Sequence, residues 1–175
     1  MIQRQSFRHT FCMAAALLVT ACLGTSGLMA ESSNETLQVS ATVASKCLMQ
    51  GETLSFGTYD PASANSSSAL NATGSLQIKC TRNTNATISM DAGQYASRAA
   101  GTSRAMRSAD GENYLSYDLY LDPARSTVWN NVNKAVYSGS GASAPATLSI
   151  YGAVPASQDV GDGQYNDVVT ITANF

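Results

Sequence analysis

Hydrophobic and polar positions alternate in short runs along most of the chain after residue 36. Leu37, Val39, Ala41 and Val43 interleave with Gln38, Ser40 and Thr42, and Leu76, Ile78 and Cys80 with Gln77 and Lys79. Ile88 and Met90 repeat the spacing. Leu115, Tyr117, Leu119 and Leu121 alternate with Ser116, Asp118 and Tyr120, and Leu148, Ile150, Gly152 and Val154 form a further run before Pro155. Successive side chains of a strand point to opposite faces, so this period of two predicts half-buried β-strands. Shorter segments, Leu54-Ser-Phe56-Gly57 after a polar turn and Ala135-Val-Tyr137 before Gly139-Ser-Gly141, read the same way. Residues 61–73, rich in Ser, Ala and Asn, and residues 91–111, ending in Asp110-Gly111, lack periodicity and are predicted as loops. No segment reads as a helix, and short strands at this spacing predict a single β-sandwich without internal repeats.

The final run, Tyr165 to Phe175, reads as one strand. Tyr165, Val169, Ile171, Ala173 and Phe175 share a face interrupted only by Asp167, while Asn166, Val168, Thr170, Thr172 and Asn174 share the other. A strand closing the sequence has no successor within it, so another segment or another molecule is expected to pair with it.

Residues 1–30 read as a secretory leader: Arg4, Arg8 and His9, an apolar run from Phe11 to Val19, then a peptidase site at Gly27-Leu-Met-Ala30. A rival cut stands beside it, because Val19-Thr-Ala-Cys22 resembles a bacterial lipobox that would leave Cys22 lipidated. The remaining chain of about 145 residues is enough for one domain with a core. Of 10 lysines and arginines, Arg4 and Arg8 leave with the leader, so 8 basic residues face 12 acidic ones and the net charge is near −4. With no basic cluster left, a nucleic-acid partner is not expected. Outside the leader only Cys47 and Cys80 remain, with one intramolecular pairing available in an oxidising compartment. Closing that loop of about 34 residues would stabilise the fold by about 3–4 kcal/mol. Two buried thiols are the alternative, and a metal site from two cysteines without a nearby histidine is the weaker one.

Catalytic chemistry finds little support. His9, in the leader, is the only histidine, which removes Ser-His-Asp and Cys-His pairs and His-containing zinc sites. Asp159, Asp162 and Asp167 near Gly161 and Gly163 fail calcium-loop spacing and read as a solvated turn. Tyr114 and Tyr120 could form a ligand platform, although sheet-face packing accounts for them as well. No enzyme activity, cofactor or metal is expected.

The order of residues carries a resemblance. Cys47, Leu54-x-Phe56-Gly57-x-Tyr59-Asp60, Cys80, Arg104-x-Met106, Leu115-x-Tyr117-x-Leu119-Tyr120-x-Asp122 and Trp129 come first. Ile150-Tyr151-Gly152-x-Val154-Pro155, Gly161-x-Gly163-x-Tyr165-x-Asp167 and Phe175 follow. This order resembles the spore coat protein U domain, which includes pilins of archaic chaperone–usher pili. Asn130 follows Trp129 where that family often has glycine, a departure confined to the local turn. The resemblance implies an incomplete immunoglobulin-like sandwich completed by donor-strand complementation, over residues 47–175, with an N-terminal extension over residues 31–46. It implies a donor strand with Leu37, Val39, Ala41 and Val43 inward. It implies an acceptor groove, first contacted by the chaperone, along Tyr165, Val169, Ile171, Ala173 and Phe175. The implied partners are a periplasmic chaperone, an outer-membrane usher and further copies or related subunits. The implied destination is an extracellular fibre on the bacterial surface, reached through the periplasm and serving adhesion or biofilm formation. A periplasmic or lipid-anchored binding module, with Cys22 acylated and residues 35–45 folded back as an edge strand, is the competing reading.

Overall fold

The computed structural model describes residues 31–175; the leader expected over residues 1–30, with Cys22, lies outside them. The chain divides into two units, residues 1–40 and residues 41–175. The described part of the first, residues 31–40, has no regular secondary structure, and Leu37 and Val39 are 87% and 83% exposed.

The second unit is all-β apart from one short 3-10 turn at Ala96–Arg98. Its strands are β1 Cys47–Gly51, β2 Leu70–Cys80, β3 Asn85–Met90, β4 Arg104–Ser108, β5 Tyr114–Tyr120, β6 Ala135–Ser138, β7 Ala146–Val154, β8 Tyr165–Asn166 and β9 Ile171–Asn174. They form two antiparallel sheets, β1-β2-β7-β5-β4-β8 and β6-β3-β9. Inward residues of both sheets, among them Leu76, Ile78, Ile88, Met90, Leu115, Tyr117, Ile150 and Val154, make one core. Trp129 joins the layers: its N–H donates to Leu119 O at 2.8 Å and its indole Nε1 to Ile88 O at 2.9 Å. The sandwich expected from the alternation is therefore present.

Several elements differ from the sequence expectation. β2 starts at Leu70, inside the stretch expected as loop, and β4 lies inside the second expected loop. Leu54-Ser-Phe56 forms no strand; it lies over the inner face of the larger sheet, where β2 and β7 offer Gly74 and Gly152. A Cβ at Gly152 would come within 2.7 Å of Phe56 Cζ, so glycine is what lets the ring settle there. Phe56 then meets Tyr117 edge-on, with ring centroids 5.8 Å apart. Ser116 and Asp118, expected to face solvent, are buried. The loop before β4 covers them, with Ala100 N–H donating to Ser116 Oγ and Ser103 N–H to Asp118 Oδ1.

The C-terminal run is two strands in two sheets. β8 pairs with β4 in the larger sheet, and β9 pairs with β3 in the smaller one. Residues 167–170 carry the chain across, so Asp167, the polar break in the apolar face, marks the switch.

Candidate functional site

A groove runs between two poorly paired stretches of backbone. One wall is β1 and the segment after it, the other the C-terminal run. Among the described residues β1 pairs only with β2, and β9 only with β3, so each presents an edge without a partner there. Residues 53–58 form no backbone–backbone hydrogen bond among the described residues. Backbone N–H and C=O groups left without partners form a template for another strand. Between residues 53–59 and 160–166 lies a cavity of about 610 Å³, with Leu70, Met106, Leu115 and Val154 also lining it. Near Gly51 the two walls meet, a Cβ there standing 3.9 Å from Ile171 Cδ1. Val169, Ile171 and Ala173 are half-buried against the core rather than covered.

Both walls are anchored. Cys47 and Cys80 are directly opposed in the β1–β2 register and form a disulfide, with Cα atoms 4.1 Å apart, which ties the edge strand to its neighbour. On the other wall two carboxylates grip the crossover. Asp167 accepts hydrogen bonds from Tyr117 OH at 2.8 Å, Gln94 N at 2.9 Å and Val168 N at 2.8 Å. Asp91 accepts from Gly93 N and Thr170 N, each at 2.9 Å, and donates its own N–H to Thr170 O at 3.0 Å. Gly93 is required here: its φ is +71°, and a Cβ would fall within 2.0 Å of Asp167 Oδ2.

Behind this clasp sits Arg104, fully buried. Its Nε and Nη2 donate to Asp91 O at 3.0 and 2.6 Å, and Nη2 also to Trp129 O at 2.7 Å. Its Nη1 stands 3.7 Å from Asp118 Oδ1. Burial lowers the Arg104 pKa and raises that of Asp118, each charge being costly away from water. Burial also pushes the Tyr117 phenol far up, with the Asp167 carboxylate adding to the shift, so the hydroxyl stays a donor. For Asp91 burial raises the pKa, but the hydrogen bonds from Thr170 and Gly93 and the charge of Arg104 outweigh it, and the net shift is downward.

Of the residues expected at the site, Tyr165 lines the cavity and Val169, Ile171 and Ala173 pack on the core beside it, while Phe175 is exposed. Leu37, Val39, Ala41 and Val43 are exposed and lie outside any strand. The Asp159, Asp162 and Asp167 cluster makes no metal-holding group among the described residues. Leu54, Phe56 and Met106 were missed as groove residues. Leu54 and Phe56 carried a signal, two apolar positions before a glycine.

A two-sheet, all-β sandwich with a free, half-apolar edge is the class these features define. The chain belongs to the Spore Coat Protein U domain family, which matches residues 33–172. It is 41% identical over 130 residues to Protein U of Myxococcus xanthus, covering 71% of this chain and 73% of that protein. The fold is similar to a chain in the crystal structure of the CsuC–CsuE chaperone–tip adhesion subunit pre-assembly complex from archaic chaperone–usher Csu pili of Acinetobacter baumannii. The TM-score is 0.55 at 19% identity, over 77% of this chain. This chain spans only 41% of that one.

Proposed function

We propose that this chain is a structural subunit of a chaperone–usher surface fibre, exported through the periplasm and polymerised by donor-strand exchange. A periplasmic chaperone fills the groove first. At the outer-membrane usher, residues 31–46 of another subunit replace it, and the resulting fibre serves adhesion or biofilm formation. The observation that carries this reading is the cavity between residues 160–166 and residues 53–58, a segment without backbone–backbone partners among the described residues, with β9 beyond it paired on one side only. Strand addition suits such a groove, since main-chain hydrogen bonds supply affinity and alternate side chains enter pockets.

The exposed arm has the matching pattern. Leu37, Val39, Ala41 and Val43 span roughly 20 Å at strand rise. Their burial contributes about 1.5–3 kcal/mol for each large aliphatic side chain. The experiment that tests the reading deletes residues 31–43. The shortened chain is expected to accept a strand but not donate one, and so to disappear from denaturant-resistant ladders on gels and from fibres in electron micrographs. Polymers of the shortened chain alone would overturn the proposal.

A further inference from the structure

The face of the larger sheet turned away from the groove carries a second cluster. Asn166, Arg107 and Tyr114 are register partners across β8, β4 and β5, so their side chains share one face. Their sequence neighbours Met106 and Leu115 point the other way and line the cavity, whose rim Asn166 also borders at the end of β8. The loop before β4 adds Tyr95 and Arg98. Tyr95 meets Tyr114 edge-on at 5.9 Å, the Arg98 guanidinium lies 4.9 Å from the centre of the Tyr114 ring, and that of Arg107 lies 5.9 Å from the centre of Tyr95. Arg98, Arg107 and Asn166 are exposed.

Neither guanidinium makes a direct ion pair, although, after the Ser108 hydrogen bond, the charge of Arg107 helps to lower the pKa of the neighbouring Asp110. Among the described residues the only ion pair is Arg104–Asp118. The Arg98 side chain makes no hydrogen bond there, and Arg107 makes one long contact, 3.4 Å to Gly111 O. Asp110, in the adjacent turn, is engaged by Ser108 Oγ and Glu112 N. Two arginines held against ring faces, without direct ion pairs, thus present N–H groups to solvent on one face.

We propose that this face binds an acidic polysaccharide. Stacking fixes each guanidinium plane while leaving N–H groups free for sugar carboxylates. The Asn166 amide can both donate to and accept from sugar hydroxyls. At a strand spacing of about 4.8 Å the row from Asn166 to Tyr114 covers about 10 Å, suited to a short run of linked rings. A dense polyphosphate is the poorer fit, because its closely spaced charges would meet the acidic remainder of the chain.

The test titrates the purified mature chain with polygalacturonate, using dextran and double-stranded DNA as comparators, and does not depend on polymerisation. The expected result is polygalacturonate binding that weakens as salt rises, with weaker or no binding of either comparator. Arg98→Ala and Arg107→Ala should each lower affinity about tenfold, with the melting transition unchanged. Asn166→Ala should lower it several-fold. Equal binding of dextran, equal or tighter binding of DNA, unchanged affinity in the double arginine variant, or no binding at low salt would each overturn the assignment.

Discussion

Replacing Asp167 with alanine removes the carboxylate that holds the crossover from β8 to β9. Three donors lose their acceptor: Tyr117 OH, Gln94 N and Val168 N. The two backbone donors are exposed and find water, at a cost of about 0.5–1 kcal/mol each. Tyr117 is buried, 5% exposed, and its hydroxyl is left without a partner, which costs about 1–3 kcal/mol. The expected destabilisation is therefore about 2–5 kcal/mol. Tyr117→Phe removes donor and polarity together and should cost only about 1 kcal/mol. Gly93→Ala supplies an internal control. Its Cβ would strike Asp167 Oδ2, so the substitution should be far more harmful in the native background than in Asp167→Ala. In the latter only the cost of a positive φ, about 1–2 kcal/mol, remains. Urea unfolding midpoints at a common slope measure all four variants. A loss below about 0.5 kcal/mol for Asp167→Ala, or strict additivity with Gly93→Ala, would refute the clasp.

Three further outcomes follow from the same geometry. Cys47→Ser should lower stability by about 3–4 kcal/mol and reduce yield from the periplasm; thiol labelling of the oxidised native chain should find neither Cys47 nor Cys80 reactive. Arg104→Ala should cost at least about 3 kcal/mol, because Asp118 loses its counter-charge while Asp91 O and Trp129 O lose their donor; urea midpoints that differ little from the parent would contradict this. Asp91 has a folded-state pKa below its unfolded value, so its contribution is present above the ordinary carboxylate range and lost as pH falls through the folded value. Asp118 is shifted the other way, so its contribution is present at low pH and lost as pH rises through its folded value. Comparing Asp91→Asn with the parent below about pH 4 isolates the Asp91 limb, and the variant should lose less stability on acidification.

Strands whose polar positions face solvent were legible in the sequence, as Leu76 to Cys80 and Leu148 to Val154 show. β4 was not, because Arg104 and Arg107 sit in a strand bracketed by loop-like text, and Arg104 is tolerated only by the carbonyls and carboxylate that surround it. β5 was located, but its polar face was misjudged: Ser116 and Asp118 are covered by a loop whose N–H groups they accept. The C-terminal run kept its alternation while changing sheets, since period two reports faces and is blind to pairing partners. The groove was half legible for the same reason. Its β9 wall follows a regular pattern, whereas Leu54 and Phe56 owe their place to Gly74 and Gly152 on distant strands.

Donor-strand exchange requires one particular face of the N-terminal arm to enter a neighbour. Leu37, Val39, Ala41 and Val43 point into the groove in this reading, while Gln38, Ser40 and Thr42 point out, and a shift of one residue reverses the faces. Comparing Val39→Asp with Gln38→Asp in a polymerisation assay tests this most directly. Val39→Asp buries an unpaired charge at a cost of several kcal/mol, so it should abolish fibres and denaturant-resistant ladders while the chaperone-bound subunit persists. Gln38→Asp should assemble like the parent. Equal assembly of the two variants would contradict the donor-strand account.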